Sequence, residues 1–490
     1  MVDHSDPAAR PDGGSGKGRG YPDALLFTVL GQVVLGTTRL GALVLIGRLA
    51  GKETLGEAAA LLAVGTFLVL AWPQPAGAAA SRYIAMASVA DTADPRHAVE
   101  SFTSRTVLVA CLPLSATSGV VAACWFSAGW AGTLWSALLP ACLGAAAYAR
   151  GVRYGRLRFR DGLLWDCLGA IATIASMSAV LVTGRFEHAL MPLCLGYLVS
   201  ALPGWPRHRP SVPLSADHRR EVTRYTAWTA VQVVAAGGLI HVVMALAALH
   251  ASASDLGEFA AALSIATPIL LLSIALRTSL TPFVARQVAA GDQESLRRAT
   301  DSLMRTMVVL FVPALGAACI WSRELLLIIF GAGFAGSANV LVILLLGVSL
   351  NCFNASHVWL GVAAPWGPRA LAVCNGAGLV VGTGVAAVGA SLAPATWAAT
   401  GYLTGSLVGA GSAAVIVWRR GRMRWWPLAL RLGVGYALIA SAVVATGDAD
   451  AWPKVMVSAA FVVAYAGVCW SDVRRVALLI PRPAPQSSPE

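Results

Sequence analysis

Long apolar segments alternate with short polar links along almost the entire chain. Fourteen of these segments are long enough to cross a hydrocarbon core of about 30 Å as helices. They fall at residues 24–48, 56–80, 106–127, 132–149, 162–183, 188–205, 226–250, 257–281, 306–321, 338–362, 370–390, 396–418, 428–446 and 453–470. The pattern predicts an all-α membrane protein with about 14 transmembrane helices.

One short motif occurs twice, each time at the start of an apolar segment. Leu55–Leu62 reads LGEAAALL, and Leu256–Leu263 reads LGEFAAAL 201 positions later. Each copy follows an apolar segment and a short polar link. The repeat indicates that one membrane unit is duplicated within the chain, an arrangement by which many transporters build a central path between related halves.

The composition supports a multi-pass membrane protein. Hydrophobic residues make up 57% of the 490 positions and charged residues only 12%, whereas soluble domains contain about 25% charged residues. The segment 1–20 is rich in Gly, Asp, Arg and Ser and lacks an apolar stretch, so we expect a disordered tail there and not a signal peptide.

The distribution of basic residues predicts the orientation. If the amino terminus is cytoplasmic, 29 of the 36 Lys and Arg residues lie on the cytoplasmic side and five on the outer side. This asymmetry predicts a protein of the cytoplasmic membrane with both termini in the cytoplasm. The net charge of +12 then favours anionic inner-leaflet lipid as a partner and does not indicate nucleic acid.

The sequence contains no recognisable catalytic or cofactor motif. The nine cysteines have no Cys-x-x-Cys spacing, and Walker-type loops, dinucleotide fingerprints and His-Glu-x-x-His helices are absent. We therefore expect neither a cofactor nor a metal, and we interpret the protein as a transporter and not as an enzyme.

Several motifs resemble those of polysaccharide flippases. The segment Gly47–Gly51 with Leu55–Glu57 looks like their first loop, and Tyr154–Arg160 resembles the basic loop between their helices four and five. The stretches Ser254–Leu263 and Glu324–Phe334 resemble the second half of these proteins. They are members of the multidrug/oligosaccharidyl-lipid/polysaccharide exporter superfamily.

The resemblance implies two pseudo-symmetric six-helix bundles that form a V-shaped cavity, with two additional C-terminal helices. The expected organisation is a cytoplasmic tail at 1–20, an N-terminal half at 21–205, a cytoplasmic linker at 206–225, a C-terminal half at 226–418, helices 13 and 14 at 428–470, and a cytoplasmic tail at 471–490.

Two arginines lie within apolar segments, Arg39 in the first span and Arg277 in the eighth. A charge in the hydrocarbon layer costs about 3 kcal/mol on insertion scales, so it usually faces a watery cavity or a partner. Each arginine could also snorkel or pair with a carboxylate or carbonyl. The resemblance to lipid II flippases, in which arginines on these two helices bind the lipid-linked diphosphate, implies a substrate-binding role in the cavity.

Four further residues are weaker substrate-binding candidates. Arg82 could meet an entering diphosphate, although the general excess of basic residues on the inner side also explains it. The amides Gln32, Asn351 and Asn354 could line a sugar path or bridge helices.

Other polar groups have ordinary explanations. Glu57 and Glu258 open their helices, where a carboxylate complements the helix dipole. Asp166 is expected to form a surface ion pair close to Arg160. A histidine inside a span, such as His241, could couple protons but is more often hydrogen-bonded packing.

These observations together predict a flippase. It would move a polyprenyl-diphosphate-linked sugar or oligosaccharide to the outer leaflet by alternating access, for cell-surface polysaccharide or cell-wall biosynthesis. Possible partners are H⁺ or Na⁺ as the coupling ion and glycan polymerases or glycosyltransferases. Three alternatives remain: a drug/cation antiporter of the same superfamily, which needs acidic cavity residues; a membrane-embedded glycan polymerase or ligase, which needs a large outer loop; and a scaffold that transports nothing.

Overall fold

The computed structural model describes residues 20–87, 93–205, 213–270, 293–352, 356–357, 359–360, 366–423, 425–447 and 449–472. All regular elements within these ranges are helices, and 13 of them are long and apolar enough to cross a membrane. The prediction of an all-α membrane fold is confirmed. The eighth predicted span, 257–281, begins in a described helix and continues beyond the described residues. Residues 1–19 and 473–490, which make up most of the two predicted tails, also lie outside the described residues.

The helices of the first part of the chain are α1 (Gly20–Leu49), α2 (Gly51–Ala71), α3 (Pro73–Ala87), α4 (Ala93–Trp125), α5 (Trp130–Gly155), α6 (Phe159–Thr183) and α7 (Met191–Ala201). Those of the second part are α8 (Ala216–His250), α9 (described from 253 to 270), α10 (Gln293–Ile320), α11 (Ser322–Ile329), α12 (Ala338–Cys352), α13 (Gly367–Val388), α14 (Pro394–Gly421), α15 (Trp426–Thr446) and α16 (Ala451–Val468).

The predicted second span, 56–80, is divided into two helices. Helix α2 ends at Ala71, and Trp72 has the non-helical angles φ −149° and ψ −52°. Pro73 then begins α3, because its missing N–H is tolerated at the first position of a helix but not in its interior. The chain therefore changes direction at Trp72.

Helix α8 begins earlier than the predicted residue 226. The hydroxyl of Ser215 accepts a hydrogen bond from the backbone N–H of His218 at 3.3 Å and caps the helix, which starts at Ala216. Much of the expected linker at 206–225 is therefore helical, and 206–212 lie outside the described residues. Hydropathy missed these first turns because they are polar.

The helical boundaries follow the 201-residue repeat. Helix α1 ends at Leu49 and α8 ends at His250, its counterpart in the repeat. The matching threonines also behave alike, since Thr66 donates to the carbonyl of Leu62 at 2.7 Å and Thr267 donates to that of Leu263 at 2.8 Å. The helical pairs α1–α2 and α8–α9 are thus two copies of one unit, as the sequence motif predicted. We call them the first and second repeats.

Helix α2 of the first repeat is the most buried of the candidate spans in the described part of the chain. In the most apolar 18-residue stretch of α2, 61% of residues are buried, against 17% in α16. One apolar core joins α2 residues such as Leu55 and Leu62 to α9 residues such as Phe259 and Ala260. The last two helices, at 22% and 17%, are the least buried of the candidate spans in the described residues.

The last two helices are attached to α10 and α11 by ion pairs at both ends. Asp472, which follows α16, accepts hydrogen bonds from Arg305 of α10 and Arg431 of α15. Lys454 of α16 donates to Glu324 of α11 at 2.7 Å. These ion pairs therefore hold α15 and α16 against α10 and α11.

Candidate transport cavity

A small cavity of about 20 Å³, room for little more than a water molecule, lies between the two repeats. All four helices of the repeats contribute to its wall. The lining residues are Gly36, Arg39, Leu40, Leu43, Ala59, Leu62, Ala63, His241, Met244, Ala260, Leu263, Ser264 and Thr267.

Most of the lining consists of positions that the repeat relates to each other. Five pairs lie 201 positions apart: Leu40 and His241, Leu43 and Met244, Ala59 and Ala260, Leu62 and Leu263, and Ala63 and Ser264. Equivalent faces of the two repeats therefore look at each other across this space. The cavity lies on the pseudo-twofold axis of the duplicated unit.

The polar lining is basic and neutral. Arg39 is its one formal cation, and His241, Ser264 and Thr267 are the other polar residues, so the lining that the structure describes contains no Asp or Glu. The hydroxyl of Ser264 donates to the carbonyl of Ala260 at 2.7 Å, as Thr267 does within its own turn. Both hydroxyl oxygens keep lone pairs that can accept a hydrogen bond from a ligand.

Arg39 lies where its charge acts on both repeats. The positive charge interacts electrostatically with His241 of α8 and with Tyr197 of α7, both of which are partly buried. Arg39 therefore stands between the interior of the first part of the chain and the cavity. An anion in the cavity would meet this charge in a setting of low dielectric, where it acts more strongly than in water.

One end of the cavity is closed by direct contact between the repeats. A Cβ atom placed on Gly56 would lie 2.5 Å from the carbonyl oxygen of Ala253, and one placed on Gly257 would overlap the carbonyl group of Lys52. Lys52 and Ala253 are themselves counterparts in the repeat. The two Leu-Gly-Glu motifs therefore cross symmetrically, and only glycine allows their backbones to approach so closely.

Charged side chains close the same end asymmetrically. Lys52 donates a hydrogen bond to Glu258, and its ammonium group lies 5.7 Å from the centre of the Phe334 ring. Arg48 donates to the carbonyls of Ile328 and Ile329 at the end of α11. We call residues 47–57, 253–258 and 328–336 the seam.

The structure places only some of the sequence-predicted candidates. Arg39 lines the cavity, whereas Arg277 and Asn354 lie outside the described residues. Gln32 is on α1 but is not a lining residue of the described cavity. The amide of Asn351 donates to Tyr402 and Ser406 at 3.1 Å each, so it bridges α12 and α14.

Arg82 takes part in a contact between α3 and α8. Its guanidinium lies 4.6 Å from the centre of the Tyr225 ring. The neighbouring Tyr83 donates to Glu221 at 3.1 Å, and burial together with this bond raises the pKa of Tyr83 to about 12. Its hydroxyl consequently stays protonated at physiological pH and keeps donating.

Two expectations about carboxylates need correction. Asp166 is fully buried and accepts a hydrogen bond at 3.0 Å from Arg150 of α5, so the predicted surface pair with Arg160 is wrong. Asp166 lies two turns inside α6 and faces its neighbours in the bundle, which distance along the sequence does not reveal. Glu258 does more than cap its helix, because it pairs with Lys52 across the seam.

His241 is a lining residue that the sequence marked only for packing or proton coupling, and not for binding. A usable signal was present, because the repeat aligns this histidine with Leu40 and aligns Ser264 with Ala63. The pair of Lys52 with Glu258 has no such signal, since the residues are 206 positions apart and not counterparts in the repeat.

Metal binding finds no support in the described residues. Within these ranges no group of three or more His, Cys, Asp or Glu side chains is arranged to hold an ion.

Residues 156–339 match the family model described as "Polysaccharide biosynthesis protein". No curated protein matches the sequence significantly. The matched segment begins in the basic loop after α5 and ends at the start of α12, so it includes all of the second repeat that the structure describes.

Solved structures show the same fold at low sequence identity. The lipid II flippase MurJ in an inward closed conformation is 13% identical, with a TM-score of 0.66, and the match covers 93% of this chain and 99% of that one. An inward-facing transporter of the multidrug resistance MATE family is also 13% identical, with a TM-score of 0.63 and coverages of 80% and 96%. The eukaryotic MATE transporter AtDTX14 is 16% identical, with a TM-score of 0.61 and coverages of 82% and 97%.

The chain therefore has the fold of membrane transporters of the multidrug/oligosaccharidyl-lipid/polysaccharide exporter superfamily. Together with the family-model match, this fold confirms the resemblance inferred from its sequence motifs.

Proposed function

We propose that the protein is a flippase that moves a polyprenyl-diphosphate-linked sugar or oligosaccharide across the cytoplasmic membrane. Its cargo would serve cell-surface polysaccharide or cell-wall biosynthesis. The match to polysaccharide biosynthesis proteins and the fold shared with the lipid II flippase support this class of substrate.

The observation that carries the proposal is the charge of the cavity. Arg39 lies in a cavity between the repeats, and no carboxylate is present among its described lining residues. A guanidinium offers several N–H groups in a planar fork that matches the oxygens of a phosphate. The diphosphate would bind there, while the prenyl chain would stay in the lipid.

The same observation disfavours a drug/cation antiporter. Such a protein binds an organic cation and a proton or Na⁺, which calls for an acidic group in the cavity. The described lining contains an arginine and no carboxylate. A cationic drug would be repelled, and an anionic headgroup would be attracted.

The seam is the outer gate in this proposal. With both termini in the cytoplasm, the links that join α1 to α2 and α8 to α9 face outward. Closure of the seam by Lys52 and Glu258 then keeps the cavity from the outside while cargo enters from the inner leaflet. Separation of the repeats at the seam would release the headgroup to the outer leaflet, and an ion gradient or the membrane potential would supply the energy.

The proposal is tested by a flipping assay in proteoliposomes with a fluorescent polyprenyl-diphosphate-linked sugar. Arg39→Ile copies the residue of the second repeat, Ile240, and should therefore fold. We expect the variant to lower the initial rate at least about tenfold, because hydrogen bonds to charged groups contribute about 1.5–3 kcal/mol each. Arg39→Ala combined with Arg277→Ala extends the test to the second predicted arginine.

The matched control is Arg369→Ala. This arginine is exposed, and its guanidinium lies 5.4 Å from the Trp228 ring, away from the cavity. It should leave the rate unchanged. A native protein that does not flip the lipid, or a folded double variant that flips it at the native rate, would contradict the proposal.

A further inference from the structure

Each residue that lines the cavity can be compared with its counterpart in the other repeat. His241 occupies in the second repeat the position that Leu40 occupies in the first, and Ser264 occupies that of Ala63. All four residues line the cavity. The scaffold is thus the same twice, while the side chains are apolar in one copy and polar in the other.

Packing does not require the two polar groups. In the first repeat, Leu40 contacts the apolar core and Ala63 is buried, so apolar residues suffice at these positions. A buried polar group costs free energy unless it is hydrogen-bonded. The Nδ1 atom of His241 is buried and has no hydrogen-bond partner among the residues that the structure describes. The imidazole therefore carries a cost that the counterpart leucine avoids.

The position of His241 relative to Arg39 suggests what offsets this cost. Arg39 interacts electrostatically with the imidazole, and the two residues belong to helices of opposite repeats. A neutral imidazole has one N–H donor in either tautomer. An anion between α1 and α8 would thus receive hydrogen bonds from both sides.

We propose that His241 is the second headgroup-binding residue of the cavity and donates a hydrogen bond to the diphosphate held by Arg39. Ser264 accepts a hydrogen bond from a hydroxyl of the adjoining sugar. This inference rests on the proposed function and deepens it, because two separated donors distinguish a diphosphate from a monophosphate. Within the cavity, the polar residues that break the repeat are then the ones that contact the cargo.

The test replaces each polar residue by its counterpart in the first repeat. His241→Leu and Ser264→Ala should fold, because the first repeat already uses these residues. Ile265→Val is the control: it also copies the first repeat, at Val64, but Ile265 packs in the apolar core and does not line the described cavity. Binding to the full-length purified protein is measured with undecaprenyl diphosphate, undecaprenyl monophosphate and undecaprenyl-diphosphate N-acetylglucosamine.

We expect His241→Leu to weaken diphosphate binding about tenfold, as the loss of a charge-assisted hydrogen bond does. Monophosphate binding should change less than threefold, so the preference for diphosphate largely disappears. Ser264→Ala should weaken only the sugar-bearing lipid, by about threefold. His241→Gln retains an N–H donor and should recover most of the diphosphate affinity, which a role in packing alone does not predict. The control should bind like the native protein.

Two negative outcomes have different meanings. If Arg39→Ile loses diphosphate binding while His241→Leu keeps native affinity and preference, the inference about His241 is overturned and the flippase proposal stands. If the native protein binds neither polyprenyl phosphate, both proposals are overturned. If His241→Leu does not fold, an affinity of His241→Gln equal to that of Ile265→Val supports the inference, and a tenfold loss in His241→Gln overturns it.

Discussion

The first and second repeats place their helices alike but line the cavity with different chemistry. Their helices end in register, their threonines bond to equivalent carbonyls, and their glycines cross at the seam. Among the cavity-lining residues, polarity differs between the repeats at Arg39 (Ile240 in the second repeat), His241 (Leu40 in the first) and Ser264 (Ala63 in the first), and at the seam Lys52 corresponds to Ala253. The duplicated scaffold thus keeps the glycines that its crossing needs, while positions that line the cavity differ in chemistry.

Of the features compared between the repeats, the glycine crossing should be the least tolerant of substitution. Gly257→Val would bring a branched side chain against the carbonyl of Lys52, so the seam must separate or the helices must shift. We expect a loss of about 3 kcal/mol in the free energy of unfolding, in line with overpacked cores. Denaturation of the purified protein in detergent measures it.

The control for this variant is Gly41→Ala in α1, where nothing lies within 4 Å of an added Cβ. It should be neutral or slightly stabilising, because alanine favours a helix by about 1 kcal/mol over glycine. Equal stability of Gly257→Val and the native protein would mean that the repeats do not touch at the seam.

The ion pair at the seam should affect transport more than stability. Lys52→Glu places two carboxylates together and should open the outer end, lowering the flipping rate about tenfold. Its effect on stability should be about 1 kcal/mol, because both side chains are partly exposed. The flipping assay and thermal unfolding are compared on the same preparation.

Reversal of both charges provides the control for the seam. Lys52→Glu combined with Glu258→Lys restores opposite charges and should recover at least half of the native rate. A double variant as slow as the single one would show that this ion pair is not what holds the seam closed.

The matching threonines should separate a cavity role from a structural one. Thr267 lines the cavity and Thr66 does not, although both hydroxyls bond within their own helices. Thr267→Val should lower the flipping rate about threefold, as expected for the loss of one neutral hydrogen bond of about 0.7 kcal/mol. Thr66→Val should leave the rate unchanged, and equal effects would contradict a contact between Thr267 and the cargo.

The smallest expected effect comes from making the seam symmetric. Ala253→Lys introduces at the second repeat the counterpart of Lys52, facing the exposed Glu57. A second partly exposed ion pair should stabilise the closed seam by about 0.5 kcal/mol and slow flipping about twofold. A faster variant would show that closure of the seam does not limit the cycle.

The helical layout was predictable to a large extent, and its exceptions are informative. Thirteen of the fourteen apolar segments correspond to helices long and apolar enough to span a membrane, and the eighth runs beyond the described residues. Such segments can be read from the sequence because the free energy of insertion is close to a sum over consecutive residues. The break at Trp72 and the early start of α8 were missed. A proline at a helical start and a polar first turn change hydropathy little, so such boundaries escape a method based on hydropathy.

The candidate site was predictable in part. Arg39 was singled out because a charge inside a span is costly, and it does line the cavity. Asn351 has the same sequence signal as a cavity residue but bridges two helices, and Asp166 was expected at the surface but is buried beside Arg150. The side of a helix that faces a cavity depends on what packs against it.

The sequence by itself determined the membrane class, the spans and the register of the duplicated unit. These properties depend on hydrophobicity and on identity at a fixed spacing, both of which can be read along the chain. Only the tertiary structure decided that the two repeats meet at Gly56 and Gly257, that Lys52 reaches Glu258, and that Leu40 and His241 face one cavity. The rotation and approach of membrane helices are set by contacts between residues far apart in the chain.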